Sequence, residues 1–259
     1  MKQSERRAYL IRALLDEQPQ YRSMGVPVHA DEQKQLLRAL MNIREASPVG
    51  PEVIRVQDEY LREELSQSGI TDVKDLAPVE DDLYLWQGDM TTLRCGAIVN
   101  AANSGMTGCY QPCHACIDNC IHTYAGMQLR LACAEMMKKQ GHEEPTGMAK
   151  ITSAFNLPCD YVLHTVGPII RGKVRPEDEK LLASCYRSCL ALAAEHSIES
   201  IAFCCISTGV FCFPNQRAAE IAVKTVKQYK KETGSKIKVI FNVFKDEDYE
   251  IYHGLLTGA

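Results

Sequence analysis

The chain has 259 residues, of which 46% are hydrophobic and 24% charged, with a net charge of −4 from 29 basic and 33 acidic side chains. That balance suits one large globular domain, or one domain with an appendage, and excludes long disorder, collagen and disulfide-knot classes. The acidic excess argues against a broad nucleic-acid footprint. No apolar run approaches the ~18 residues that span a bilayer, and the charges running through the N-terminus do not fit a signal peptide. The expectation is a soluble cytoplasmic protein with no nucleic-acid or membrane partner.

Residues 1–80 read as a small helical region. Between Arg6 and Glu17, Leu10, Ile11, Leu14 and Leu15 recur on one helical face. A second helix is expected from about Asp31, with Leu36, Leu37, Leu40 and Met41 on its apolar side. A third begins at Pro51, carries Val53, Ile54, Leu61 and Leu65, and stops near Gly69. Pro19, Gly25, Pro27, Pro48 and Gly50 punctuate the three. This stretch contains no metal-ligand cluster, phosphate loop or nucleophile. It reads as a helical cap on the main domain, with partner docking as the other possibility.

From residue 83 to 259 short apolar runs alternate with helical patterns. Leu83–Trp86, Ala97–Asn100, Tyr161–Val166, Ile201–Ile206 and Lys238–Phe244 read as strands. The last four lack alternating polarity, as strands do when both sheet faces are covered. Ile117–Gln140, Glu177–His196, Asn215–Glu232 and Asp246–Leu255 read as helices. The alternation predicts a three-layer α/β/α domain with a mixed, largely parallel central sheet, whose ligand site lies where loops gather at the carboxyl ends of the strands.

Four segments at those strand ends are distinctive: Gly88-Asp89-Met90-Thr91, Val99-Asn100-Ala101-Ala102-Asn103, His164-Thr165-Val166-Gly167-Pro168 and Ser207-Thr208-Gly209-Val210-Phe211. Each alone reads as turn or cap chemistry. Together, in this order, they resemble the macrodomain family of ADP-ribose-binding modules over residues 83–259. The resemblance implies that Asp89 accepts from the adenine amino group while the Met90 amide reads the neighbouring ring nitrogen. It implies that Asn103 holds hydroxyls of the distal ribose. Ser207, Thr208, Gly209, Val210, Phe211 and Cys212 would wrap the diphosphate with backbone amides, Phe211 lying against the distal ribose. Amides at a loop entering a helix bind anions without many basic side chains, so a net-acidic protein can hold a diphosphate. One departure is Cys212, where many macrodomains have glycine; a positive φ there would carry a steric cost.

All 12 cysteines fall between Cys95 and Cys212, and four of them join two histidines within the run Cys109 to His122. Thiolate and imidazole donors favour zinc, and a catalytic zinc site uses three protein ligands with one open position. Cys120 and Cys133, at helical spacing, read instead as core residues. The pattern Gly108-Cys109-x-x-Pro112-x-His114-x-Cys116-Ile117-Asp118-Asn119 resembles the zinc-dependent macrodomains, a microbial subfamily that tends to carry an extra N-terminal helical region. That resemblance selects Cys109, His114 and Cys116 as ligands, leaves Cys113 as a fourth candidate, and favours a helix-packing role for His122. Pro112-Cys113-His114-Ala115-Cys116 also fits half of a zinc-deaminase signature, but the only H-x-E, at His142, lies downstream of it where the signature needs it upstream.

Asp118 reads as a helix-start residue favoured by the dipole, and the family pattern implies a catalytic role for it beside Asn103. The expectation is a zinc-dependent hydrolase that removes mono-ADP-ribose from aspartate or glutamate side chains of proteins. The alternative is a non-catalytic reader whose zinc is structural and takes all four of Cys109, Cys113, His114 and Cys116. The resemblance further implies a sirtuin-type ADP-ribosyltransferase as functional partner and a lipoyl carrier protein related to glycine-cleavage protein H as substrate.

Overall fold

The computed structural model describes residues 1–258. Three helices come first: α1 (Gln3–Glu17), α2 (Ala30–Ile43) and α3 (Pro51–Ser68). Leu10, Ile11, Leu14 and Leu15 of α1 are all buried, as their spacing predicts, against Leu37, Leu40 and Met41 of α2. The inward face of α3 differs from the expected one. Val56, Gln57, Tyr60 and Leu61 are buried, while Ile54 and Leu65 are only partly covered. Gln57 shares that face with the apolar residues Val56, Tyr60 and Leu61 because its amide is committed across the interface, where Oε1 accepts from the Met127 amide at 2.9 Å. Met127 joins the same apolar cluster, so the helical region packs on the rest of the molecule as a cap would.

A two-residue strand β1 (Thr71–Asp72) then leads to β2 (Leu83–Gln87), β3 (Leu93–Arg94) and β4 (Ala97–Ala102). After β4 come α4 (Ile117–Ala125), α5 (Met127–Gln140), β5 (Ala149–Ser153), β6 (Tyr161–Val166) and α6 (Pro176–Glu195). The chain ends with β7 (Ser200–Phe203), α7 (Asn215–Thr233), β8 (Lys238–Val243) and α8 (Asp246–Thr257). Six strands form one sheet in the order β2-β8-β7-β4-β6-β5, parallel throughout except for β5. Helices α6, α7 and α8 form a continuous layer, while α4 and α5 pack against β4 and β5. The strands that lacked alternation are buried along nearly their whole length.

Three expectations need correction. The single helix expected over Ile117–Gln140 is two, broken at Gly126, whose φ is +98° and where a Cβ would stand 2.5 Å from the Gln57 amide nitrogen. The strand expected over Ile201–Ile206 ends at Phe203, because the chain leaves the ladder there to turn through Cys205 and Thr208 into the next loop. The antiparallel edge strand β5 was not expected. Its sequence, Ala149-Lys150-Ile151-Thr152-Ser153, offers no apolar run, since an edge strand buries little. Among the described residues no helix is long and apolar enough to cross a membrane.

Candidate active site and metal loop

The site lies along the carboxyl ends of β2, β4, β6 and β7. Where β2 ends, Asp89 caps a short 3-10 turn over Met90–Thr92, its Oδ1 accepting from the Thr91 amide at 2.9 Å and the Thr91 hydroxyl at 2.7 Å. Among the described residues nothing donates to its Oδ2, and the side chain is exposed while Met90 is buried beneath it. The turn is fixed from β8, where Asn242 Nδ2 donates to the carbonyls of Trp86 (3.3 Å) and Gly88 (3.0 Å). Phe244, one residue past β8 and in line with Gly88, leaves 77% of its surface exposed. Sequence reasoning passed over Phe244 because it completed an apolar run; its position just beyond the last ladder pair is the signal that separates it from the strand.

After β7 the chain makes the second loop. Ser207 and Cys212 both have positive φ, +67° and +57°, so the departure noted at Cys212 is a backbone position that glycine would occupy without strain. The amides of Thr208, Cys212 and Phe213 bond within the loop. Those of Gly209, Val210 and Phe211 donate to no protein acceptor among the described residues, which leaves a run of free donors. Ser207 Oγ is buried with no partner, and the Ile170 amide donates to the Phe211 carbonyl at 2.8 Å, tying this loop to the segment after β6.

At the end of β4, Asn103 Nδ2 donates to the Gly108 carbonyl at 3.1 Å and to Asp118 Oδ2 at 3.3 Å. Asp118 stands in the first turn of α4 and is only 5% exposed. Its other oxygen accepts from Asn100 Nδ2 at 2.8 Å. Burial pushes its carboxyl up to about 6, opposed by the hydrogen bond from Asn100, the charge of Arg130 and the bond from Asn103.

Asn100 also reaches His164 Nδ1 at 3.2 Å, across the β4–β6 register that pairs the two residues. With both amide hydrogens of Asn100 given away, His164 must accept at Nδ1 and carry its proton on Nε2, toward Thr152 Oγ1 at 2.9 Å. Burial holds His164 down to about 4, consistent with a neutral ring. Asn100 and His164 were quoted in the sequence motifs without roles. Their polarity inside strands covered on both faces is the signal that marks them.

Between Asn103 and α4 the chain forms an irregular loop in which Cys109, His114 and Cys116 bring their ligand atoms within 4.8 Å of one another. Cys109 Sγ and His114 Nδ1 are 3.6 Å apart. Ligands at ~2.0–2.3 Å on a tetrahedral zinc stand about 3.6 Å apart, so the donor set and its spacing both suit that ion. Cys116 is the N-cap of α4, its Sγ accepting from the Asn119 amide at 3.4 Å. Its thiol is nonetheless pushed up to about 12, by burial first and then by the facing Cys109, against the opposing amide bond. A cation between the two sulfurs would offset that cost and favour their metal-binding, deprotonated forms.

Cys113 is elsewhere. It is exposed, and its Sγ lies 3.4 Å from the Gln35 carbonyl of α2. Gly108 opens the loop at φ +85°, where a Cβ would lie 2.7 Å from the His122 ring. His122 itself is buried against α5 and β6, within ligand distance of Cys133 and His164, and neither of its nitrogens has a hydrogen-bond partner. Cys133 is fully buried, as its helical spacing predicts, whereas Cys120 is only partly so.

The Macro domain family model matches residues 99–222. A protein-ADP-ribose hydrolase of Treponema medium is 59% identical over 99% of this chain and 100% of its own length. The chain belongs to the macrodomain family. A protein-ADP-ribose hydrolase of Staphylococcus aureus (strain MSSA476) is 51% identical to this macrodomain protein over 94% of the chain and 92% of its own length. Among solved structures, the Oceanobacillus iheyensis macrodomain with ADP aligns at 38% identity with a TM-score of 0.63, over 71% of this chain and 94% of that one. The Trypanosoma brucei macrodomain in complex with ADP-ribose aligns at 29% identity with a TM-score of 0.66, over 85% and 94%. Helices α1–α3 precede the stretch that the family model matches.

Proposed function

We propose that this macrodomain protein hydrolyses the bond between ADP-ribose and a modified protein, that it depends on zinc, and that the bond it prefers is an ester to aspartate or glutamate. Relatives of 51–59% identity that carry the name protein-ADP-ribose hydrolase, matched over nearly their full length, support the coarse activity. The observation that carries the finer reading is the gathering of Cys109, His114 and Cys116 into one ligand set, joined by Gly108 to Asn103 and by the first turn of α4 to Asp118.

Each group has a task that its surroundings allow. Asp89 receives the adenine amino group on its free oxygen, and the Met90 amide reads the adjacent ring nitrogen. The loop from Ser207 to Cys212 takes the diphosphate on its free amides, with Phe211 against the distal ribose. Asn103, anchored by Gly108 and Asp118, orients the hydroxyls of that ribose. Asp118 is held by two donors on the two sides of its carboxyl and positions a ribose hydroxyl or a water. Cys109, His114 and Cys116 would hold the zinc, which supplies Lewis acidity toward an oxygen of the substrate and lowers the pKa of water toward ~7. An ester oxygen is a good leaving group, and no strong acid dedicated to a poorer one is evident among these residues.

A closed structural zinc would take four protein ligands. Cys113, the fourth candidate, is committed to the α2 carbonyl of Gln35, which supports three ligands and an open position, and so the enzyme over the reader. In the same reading the substrate is an ADP-ribosylated lipoyl carrier protein related to glycine-cleavage protein H, modified by a sirtuin-type transferase; the family resemblance alone supports that pairing.

The test is a metal assay on untreated protein. About one zinc per chain is expected, and Cys116→Ala is expected to lose it. A Cys116→Ala protein with full metal content would refute the ligand set.

A further inference from the structure

The loop that carries the three ligands has little structure of its own. Between Asn103 and Cys116 there is no helix or strand, and its internal backbone bonds amount to turns such as the His114 amide to the Gln111 carbonyl at 3.3 Å. What holds it comes from outside. Arg38, on α2, donates from Nη2 to the His114 carbonyl at 2.8 Å and to Asn119 Oδ1 at 3.0 Å.

Asn119 is fully buried, and with Oδ1 fixed by Arg38 its Nδ2 is aimed at the loop carbonyls of Gln111 (2.9 Å) and Cys109 (3.4 Å). One turn further along α2, Asn42 Oδ1 accepts from the Cys113 amide at 2.9 Å while its Nδ2 donates to Thr123 Oγ1 at 2.9 Å. Cys113 sits at φ +53°, a conformation a non-glycine residue keeps only when its surroundings impose it. The Tyr110 ring lies 4.2 Å from the Arg130 guanidinium, which donates at 2.6 Å to the Asn42 carbonyl near the end of α2.

Asn103 fixes the start of the loop at Gly108, but the contacts at Tyr110, Gln111, Cys113 and His114 lead back, directly or through Asn119 and Arg130, to one helix, and that helix lies outside residues 99–222 matched by the family model. We propose that α2 is the brace of the metal loop, with Arg38 and Asn42 as positioning residues that hold Cys109, His114 and Cys116 at ligand spacing. The proposal rests on the zinc reading above for its consequence, though the brace itself exists with or without the ion. It gives the N-terminal helices a task beyond covering an apolar face: they set how tightly the loop takes its metal. Outer partners that orient metal ligands typically change metal affinity 10–100-fold when removed.

The experiment compares the full-length protein with Arg38→Ala, Arg38→Lys and Asn42→Ala. Gln57→Ala serves as a control that loosens the same helical region where it meets Met127, away from the loop. Zinc affinity is read by competition with a chromogenic chelator, ADP-ribose affinity by calorimetry, and loop order by amide hydrogen exchange over residues 109–116 in metal-free protein. Arg38→Ala and Asn42→Ala should each weaken zinc roughly 10–100-fold and speed loop exchange, with ADP-ribose affinity unchanged and exchange in the central sheet intact. Arg38→Lys, with one ammonium in place of a fork, should fall between, and Gln57→Ala should leave zinc affinity alone.

Wild-type zinc affinity and loop exchange in both alanine variants would overturn the brace, as would an equal loss in Gln57→Ala. If one alanine variant fails to fold, the other and Arg38→Lys decide by the same readouts. Should the wild-type protein bind no zinc, the exchange data still decide the brace, and the failure belongs to the zinc reading.

Discussion

At one end of the site, Asp89, the loop from Gly209 to Phe211 and Phe244 lie at or beyond strand ends, the Asp89 turn held by Thr91 and by Asn242 of β8, the loop by its own turns and by Ile170. At the other, Asp118 is buried under Asn100 and Asn103, and the proposed ligands Cys109, His114 and Cys116 lie in a loop fastened by side chains from a helix 70–80 residues earlier in the chain. The first end can therefore change its residues at little cost to the fold. At the second, binding chemistry and packing are the same contacts, so a substitution alters both.

Cys116→Ala probes the second end hardest. It removes a ligand and the cap of α4 together, and release of ADP-ribose from aspartate-modified protein should drop roughly 10³-fold with loss of zinc. Unchanged release would separate the chemistry from the loop. Asp118→Ala comes next: single-turnover release should slow about 10²-fold, and because the Asn100 and Asn103 amides each lose one of two acceptors in a buried site, the variant should also lose roughly 1–3 kcal/mol in denaturant melts. A variant that loses activity but no stability would show that the two roles of Asp118 are separable.

Asp89→Ala sharpens the contrast from the other side. Losing a charged acceptor should weaken ADP-ribose binding roughly 10–100-fold by calorimetry, with zinc content intact and a stability loss, from the missing cap, of no more than ~1 kcal/mol. A parallel loss of metal would mean that the two ends are coupled. The smallest effect is expected at Cys212→Gly, which relieves a left-handed φ of +57° and should stabilise the protein by about 0.5 kcal/mol in the same melts, after the greater chain entropy of glycine is counted.

The same contrast governs what could be read from the sequence. The Asp89 turn and the loop after β7 were legible because the residues that would bind are contiguous and follow apolar runs. That Cys109, His114 and Cys116 gather was legible only through the resemblance to zinc-dependent macrodomains, since closeness in the chain alone does not set them apart from Cys113. The roles of Asn100 and His164 were not, since they depend on the β4–β6 register that sets them side by side. The brace by α2 was hidden for a stronger reason: Arg38 and Asn42 occupy ordinary positions in an amphipathic helix, and only the tertiary fold shows that they face the loop. The burial of Gln57 on α3 was hidden likewise, since its partner Met127 is distant in sequence. The break at Gly126 sat in a window whose apolar period ran on through it.

The most direct test follows release of ADP-ribose from an aspartate-modified protein through one cycle of chelation and zinc return, with ADP-ribose binding measured at each stage. Release should fall to background when zinc is withdrawn, recover when zinc alone is restored, and be accompanied throughout by nearly constant ADP-ribose affinity. Full release by the folded, metal-free protein would contradict the account.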